Sequence, residues 1–382
     1  MTLSLIDAAA YRRALNVRDL TDVAHGPHAM QLLIQHAIAV LRDAWSCPVI
    51  VYRAPPLVPI EDNYDALHYP ADGAARDARY SRYVSHDALL RTQTSAMIPR
   101  ALRMIAPAEY DDILLACPGL TYRRDAIDRL HVGEPHQLDL WRIKRGTLHR
   151  EDLLQMIQLI AHALLPGAQL RIDPAIHPYT SDGLEVHASD RGTWVEILEC
   201  GLALPAVLEE SGVDPATHMG LAMGMGLDRV LMLRKGIDDI RVLRSNDVRI
   251  ARQMLDLQLY RPVSMQPAIR RDLSIAVAKE CTGEELGDRI RASLDETTLA
   301  ALEEISIVSE TSYEDLSSAA HRRSGMGIDQ KNVLVRLVIR DLERTLTSHE
   351  ANELRDRVYE MLHEGSVNSW AAREKATSKD TG

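Results

Sequence analysis

Phenylalanine is absent from all 382 residues. That is a departure from ordinary composition large enough to need a cause. Cysteine is scarce, with Cys47, Cys117, Cys200 and Cys281 scattered along the chain. They form no CxxC pair and no His/Cys cluster, which argues against a structural zinc or a disulfide framework. No apolar run approaches the ~18 residues of a membrane span, so no membrane partner is expected. The first twenty residues mix charge into every turn, so no secretory signal is expected and a cytoplasmic location is the default. Positive charge is also short: the formal net charge is −11. This disfavours DNA as a partner, although a local basic patch for RNA remains compatible with it.

What is present suits two domains, since one core rarely grows past ~250–300 residues. Apolar residues make up 46% and charged residues 26%, an ordinary soluble balance. Residues 28–45 and 151–164 carry apolar side chains at helical spacing. The proline-rich stretch from Pro55 to Pro59 reads as a strand entry and loop. Short apolar runs such as 193–200 read as buried strands, so an α+β fold with a large antiparallel sheet is expected rather than regular βαβ alternation. The pattern changes at 259–266, read as a linker. Beyond it, 270–278 alternates as a strand. Thr282 with Glu285, and Thr347 with Glu350, form capping boxes that open helices to about Leu294 and His363. Residues 302–313 and 332–340 read as strands, with a short last strand near 366–370. The order β-α-β-β-α-β is the ferredoxin-like plan.

Two constellations carry chemistry. Tyr122-Arg123-Arg124-Asp125 is followed by His131 and by His136-Gln137-Leu138-Asp139. An arginine on a strand can neutralise an α-phosphate as charge builds during in-line displacement. The plain alternative is a salt-bridged surface hairpin. The second is Gly220-Leu-Ala-Met-Gly-Met-Gly-Leu-Asp228-Arg229. Its small residues let backbone approach a nucleotide. The plain alternative is a glycine-rich strand-to-helix turn with a buried ion pair, since a glycine-rich loop alone is weak evidence.

Together the two elements resemble motifs 2 and 3 of class II aminoacyl-tRNA synthetases. Residues 236–247, Asn63–Leu67, Leu90–Ser95 and Trp194–Leu198 resemble the phenylalanyl-tRNA synthetase branch. Residues 267–277 and 340–347 are similar to that family's ferredoxin-fold anticodon-binding domain, in the layout of its single-chain members. The resemblance covers roughly residues 20–370 and implies a catalytic domain over 1–258 and an anticodon-binding domain over 267–372; a disordered tail is expected over 373–382.

The resemblance also implies roles. Arg123 and Arg229 would be catalytic, and Arg123, Asp125, His131 and Arg229 would hold ATP. Gln93, Ser95, Gln137, Asp139, His177, Tyr179 and Ala222 would hold the amino acid. Glu196 would be a magnesium ligand. Arg270, Arg271, Lys331 and Arg336 would meet tRNA, with tRNA-Phe expected. ATP and Mg2+ are the implied cofactors, and the reaction is activation of phenylalanine, or a polar aromatic analogue, with transfer to tRNA. A paralogue serving another acceptor, or a noncatalytic amino-acid sensor or RNA-binding regulator, are the alternatives. The oligomeric state is left open.

Some positions depart from the family pattern. Gln93 replaces a histidine, Ile98 a glutamine and Pro135 an adenine-stacking ring. His177-Pro178-Tyr179 replaces F-P-F, and Glu199 replaces a glycine. An unpaired polar group in a buried pocket costs ~1–3 kcal/mol. His177 and Glu199 must therefore pair with one another, meet water or read a polar group on the substrate.

Overall fold

The computed structural model describes residues 4–108, 110–189, 192–263 and 267–367. The chain divides into two compact units. The first holds residues 1–123 and 134–261. The second holds residues 124–133 and 262–382.

The first unit is built on a seven-stranded sheet. Its strands are β1 (Val49–Val51), β4 (Asp112–Leu120), β5 (His136–Arg145), β6 (Gln169–Pro174), β7 (Thr180–Ser189), β8 (Val195–Ala203) and β9 (His218–Gly226), with β2 (Leu57–Pro59) and β3 (Ala88–Leu90) forming a separate hairpin. The order across the sheet is β1-β4-β5-β9-β8-β7-β6. β1 pairs in parallel with β4, and the other neighbours are antiparallel. The expected large antiparallel sheet is therefore present, with one parallel edge.

The two helices read from apolar spacing are Ala29–Trp45 and Arg150–Leu164. They pack on one another, and they touch β4 and β8 respectively. The ring of His28 caps the first: its Nδ1 accepts from the Met30 N–H at 3.1 Å, and its Nε2 lies 3.0 Å from the Leu243 carbonyl. Burial pushes the His28 pKa down to about 4, so the ring is a neutral capping residue.

On the opposite face of the sheet, helix Ile98–Ile105 covers Ile113, Leu115, Trp141, Ile143, Ala203 and Ala222 in one apolar cluster. Gly201 is required there, because a Cβ would stand 2.6 Å from the Thr180 Cβ. The four cysteines are buried free thiols. Among the described residues no helix is long and apolar enough to cross a membrane.

The second unit has a three-stranded antiparallel sheet. β10 (Ile269–Ala278), β11 (Leu302–Thr311) and β12 (Gln330–Ile339) lie in the order β10-β12-β11. Helices Gly283–Ser293 and Ser348–Leu362 open on the two expected capping boxes, Thr282/Glu285 and Thr347/Glu350. Their apolar residues, including Leu286, Ile290, Leu354 and Val358, share a core with Leu273, Ile275, Val335 and Leu337. Ile127 belongs to this core, and its carbonyl accepts from the Ile305 N–H at 2.8 Å. That burial explains why 124–133 segregates with this unit. The expected last strand near 366–370 falls mostly outside the described residues, as do part of the 259–266 linker and the whole 373–382 tail.

Candidate active site

The site face of the first unit follows from strand register. Cross-strand partners share a face, and side chains alternate along each strand. Asp139 of β5 is paired with Gly224 of β9, and Gly224 is paired with Glu199 of β8. These three positions form one row across the sheet. The next row is Trp141, Ala222 and Gly201. On the other side, Gln137 pairs with Gly226. From Gly220 onward the site face of β9 therefore carries only Gly220, Ala222, Gly224 and Gly226. This is a trough floored by near-bare backbone, with β5 and β8 as its walls. The glycine spacing seen in the sequence is the cause.

The β5 wall is polar and buried. Asp139 is almost fully buried. Its carboxylate accepts from Thr94 Oγ1 at 2.6 Å, Ser95 Oγ at 2.9 Å and Trp141 Nε1 at 3.2 Å. Burial drives its pKa up to about 6. The three hydrogen bonds oppose that shift, and the charge of Glu199 adds to it. A buried carboxylate on this wall attracts an ammonium group, which supplies the charge its hydrogen bonds leave unbalanced. The Thr94 N–H donates to Gln137 Oε1 at 3.2 Å, so the structure brings Ser95, Gln137 and Asp139 together. Gln93 is held by Tyr69, whose hydroxyl donates to Oε1 at 2.7 Å.

Tyr179 is buried above the floor. Its ring lies 6.1 Å from Trp141, 6.2 Å from Tyr69 and 6.2 Å from His177, centroid to centroid. Burial pushes both tyrosine hydroxyls well above their ordinary pKa, so they act as neutral donors. His177 Nε2 stands 3.6 Å from Glu199 Oε2. The His177 contact is the first cause holding the Glu199 carboxyl below its usual pKa, with Arg123 a smaller contributor.

Arg123 donates from Nε to the Thr92 carbonyl at 2.7 Å, and its guanidinium lies 5.7 Å from the centre of the Tyr80 ring. Arg229 lies 3.6 Å from the Glu196 carboxylate. Asp125 and His131 fall in the segment 124–133 and belong to the second unit. There the Asp125 carbonyl accepts from Arg291 at 2.5 Å, and His131 Nδ1 lies 2.7 Å from Asp128.

Several residues were not singled out as site residues from the sequence. Tyr69, Thr94 and Trp141 line the wall. His136 and Asp228 form a buried pair beneath it, at 3.0 Å. The period-2 pattern of 136–141 could have flagged Trp141, which lies on the same face as Asp139. Nothing local signals Tyr69.

In the second unit the four basic candidates divide. Arg270 and Arg336 fall on one face of the sheet through the pairings Arg270–Val338 and Asp272–Arg336, whereas Arg271 and Lys331 alternate to the other. Arg336 forms a two-pronged pair with Asp272 at 2.8 Å, and Lys331 pairs with Glu310 at 2.9 Å. Arg271 Nε donates to Asn352 at 2.8 Å.

Residues 54–254 match the family described as tRNA synthetases class II core domain (F). Among curated relatives, the phenylalanine–tRNA ligase alpha subunit of Prochlorococcus marinus (strain NATL2A) is 36% identical over 191 residues, covering 50% of this chain and 56% of that protein. The alpha subunit of Bacillus pumilus (strain SAFR-032) is 35% identical over 204 residues, 50% and 58% respectively. That of Acinetobacter baylyi is 35% identical over 192 residues, 50% and 57%. The chain thus spans a little over half the length of these relatives.

Proposed function

The chain belongs to the class II core family of tRNA synthetases, and on that premise we propose that it activates an aromatic amino acid, phenylalanine or a polar analogue of it, with ATP and transfers it to tRNA. The observation that carries this reading is the trough over Gly224, with Asp139, Gln137 and Ser95 on one wall and Arg123 in electrostatic reach of Glu199 on the other. An ammonium group sits against Asp139. The aromatic side chain lies over Ala222 toward Tyr179. The substrate carboxylate then attacks the α-phosphate of ATP, the bond to the β-phosphate breaks and pyrophosphate leaves, and Arg123 balances the charge that builds on the phosphate. Arg229 faces the nucleotide from the helix that follows β9. Asp125 and His131 are assigned to ATP on the same reading.

Glu196 fits a magnesium ligand, because its carboxylate is half-exposed. Mg2+ typically takes one or two carboxylates and keeps waters and phosphate oxygens for the rest. The ion would neutralise phosphate charge. Glu196 would anchor it on the strand side, and Arg229 beside it would complete the charge balance.

The second unit supports the tRNA half of the reading. Its β10-β12-β11 order, with two helices on one face, matches three strands of the ferredoxin-like plan. On this basis it is an anticodon-binding domain, with Arg270, Arg271, Lys331 and Arg336 as its phosphate contacts. The boundaries assigned are 1–258 for the catalytic domain and 267–372 for this one. The relatives are named alpha subunits, so a beta-type chain is a candidate partner, tested by co-purification.

The deciding experiment is ATP–pyrophosphate exchange against a panel of amino acids. We expect aromatic amino acids to support exchange. Arg123→Ala should reduce it ~100-fold or more, the usual scale of lost transition-state charge stabilisation. A folded protein that binds no ATP by calorimetry with magnesium would end this reading.

A further inference from the structure

Glu199 occupies the middle of β8, a strand flanked on both sides by neighbours. Its side chain is 44% exposed, so the carboxylate stands on the open side of the trough, within reach of whatever fills it. The Glu199 carboxylate interacts electrostatically with Asp139, Tyr69, Tyr179 and Arg123, so it points into the same space as the residues that face the substrate. Asp139 and Glu199 are separated by one intervening strand, a distance of about 9–10 Å between their backbones. Between them lies Gly224, with no side chain.

His177 supplies the second observation. Its side chain is only 8% exposed. Nδ1 lies 3.3 Å from Thr180 Oγ1. Nε2 is buried and has no hydrogen-bond partner, because Glu199 at 3.6 Å is beyond hydrogen-bond range. A buried ring nitrogen left unsatisfied costs ~1–3 kcal/mol. A carboxylate acceptor and an orphaned imidazole nitrogen, 3.6 Å apart, are spaced to share one small polar group.

We propose that Glu199 and His177 are the specificity-determining pair of this pocket, and that they select an aromatic amino acid carrying a ring hydroxyl. The inference rests on the amino-acid-activating reading above. The hydroxyl donates to Glu199 and accepts from His177 Nε2–H, with Nδ1 accepting from Thr180. The α-ammonium sits at Asp139 at the opposite wall. The ring crosses the floor over Ala222 and Gly224, against Tyr179. Phenylalanine in the same pose covers the half-exposed Glu199 carboxylate without pairing it and leaves His177 Nε2 unpaired.

The test compares phenylalanine, tyrosine and meta-tyrosine in ATP–pyrophosphate exchange and, separately, in calorimetric binding without ATP. The proteins are the full-length wild type, Glu199→Ala and His177→Phe, each checked for native melting. A hydroxylated substrate is expected to exceed phenylalanine at least ~100-fold in kcat/KM, since sites built around a substrate hydroxyl reject the analogue lacking it by 10⁴-fold or more. Each variant is expected to cut that ratio at least ~10-fold. A wild-type preference for phenylalanine, or a ratio unmoved by both variants, would overturn the proposal. If no amino acid supports exchange, the activation reading fails on its own, and the ratio of binding constants in wild type and variants still decides the role of the pair. The two ring isomers show which geometry the pair accepts.

Discussion

The carboxylate of Asp228 accepts twice from His136: from the backbone N–H at 2.5 Å and from Nδ1 at 3.0 Å. The other ring nitrogen of His136 accepts from the Leu20 N–H at 3.1 Å. The pair joins the start of β5 to the helix after β9, with side-chain exposures of 0% and 4%. Every polar atom of the imidazole is thus assigned, and the tautomer is fixed with the proton on Nδ1. Burial alone would raise the Asp228 pKa, but His136 and Arg244 outweigh it and the net shift is downward.

Removing one partner of such a pair leaves the other desolvated. Asp228→Ala is therefore expected to cost ~3 kcal/mol or more, read from the urea midpoint at unchanged slope. Glu310→Ala, which breaks the surface pair with Lys331, should cost within ~1 kcal/mol. The sign of the pH effect follows from the lowered pKa. The Asp228 contribution is full above the ordinary carboxylate range and is lost only as pH falls through the depressed folded value. Equal losses for the two variants would show that the buried pair is not special.

Asp139 behaves oppositely. Its folded pKa is raised to about 6, so the stabilising protonated form is full below the unfolded value and lost as pH rises through 6. For substrate the requirement is reversed, because the ammonium needs the carboxylate. The kcat/KM for the amino acid should therefore fall on the acid side with an apparent pKa of about 6, while ATP binding changes little there. Asp139→Asn should lose most of this kcat/KM and the acid limb with it. An acid limb that survives in the variant would assign the titration to another group.

The helices, the capping boxes and the strands of both units are legible because each is a local pattern of apolar spacing or turn chemistry. The charged residues of the two motifs are legible because the family resemblance places them. What was not legible is the register. Period-2 alternation tells that Asp139 and Trp141 share a face, and that Glu199 and Gly201 do. It does not tell that both rows meet over β9, across 21 to 85 residues of sequence. The same limit hid the His136–Asp228 pair. It also hid the division at Arg123. Arg123-Arg124-Asp125 reads as one motif, yet the apolar side chain of Ile127 is buried in the core of the second unit and takes 124–133 with it.

The tRNA role makes a separate prediction. Sequence-independent affinity for RNA comes mainly from Lys and Arg at phosphates. Arg270→Ala and Arg336→Ala, on the open face of the β10-β12-β11 sheet, should each weaken tRNA binding and reduce its logarithmic salt slope by about 1. Amino-acid activation should be unchanged in both. Point variants serve better than deletion of 262–382, since that deletion would strip the core that buries Ile127. Unaltered tRNA charging in the double variant at physiological salt would remove these residues from the interface.

The missing phenylalanine carries the last prediction. Positions where the resembling family carries phenylalanine are filled here by Leu221, Met223, Ile250, Met254 and Tyr64, and all five are buried at 2% exposure or less. Leucine, isoleucine and methionine can fill such volume at moderate cost when neighbours repack. Tyr64 adds a hydrogen bond from its hydroxyl to the Ala75 carbonyl at 2.6 Å. Folding therefore permits the exchange, but it does not demand it, because aromatic rings are valuable core residues. A chain-wide absence points to translation. We predict that synthesis of this protein persists when phenylalanine codons are read poorly, as under phenylalanine starvation or inhibition of a cell's main phenylalanyl enzyme. The measurement is pulse labelling, against a phenylalanine-containing protein of similar length expressed from the same promoter. A second comparison uses this chain with Tyr11→Phe, Tyr52→Phe and Tyr110→Phe, conservative changes that reintroduce the codon. Continued synthesis of the native chain, with loss in the substituted one, is the expected outcome and makes a back-up or resistance role the better account. Collapse of both in step would leave the composition as lineage drift.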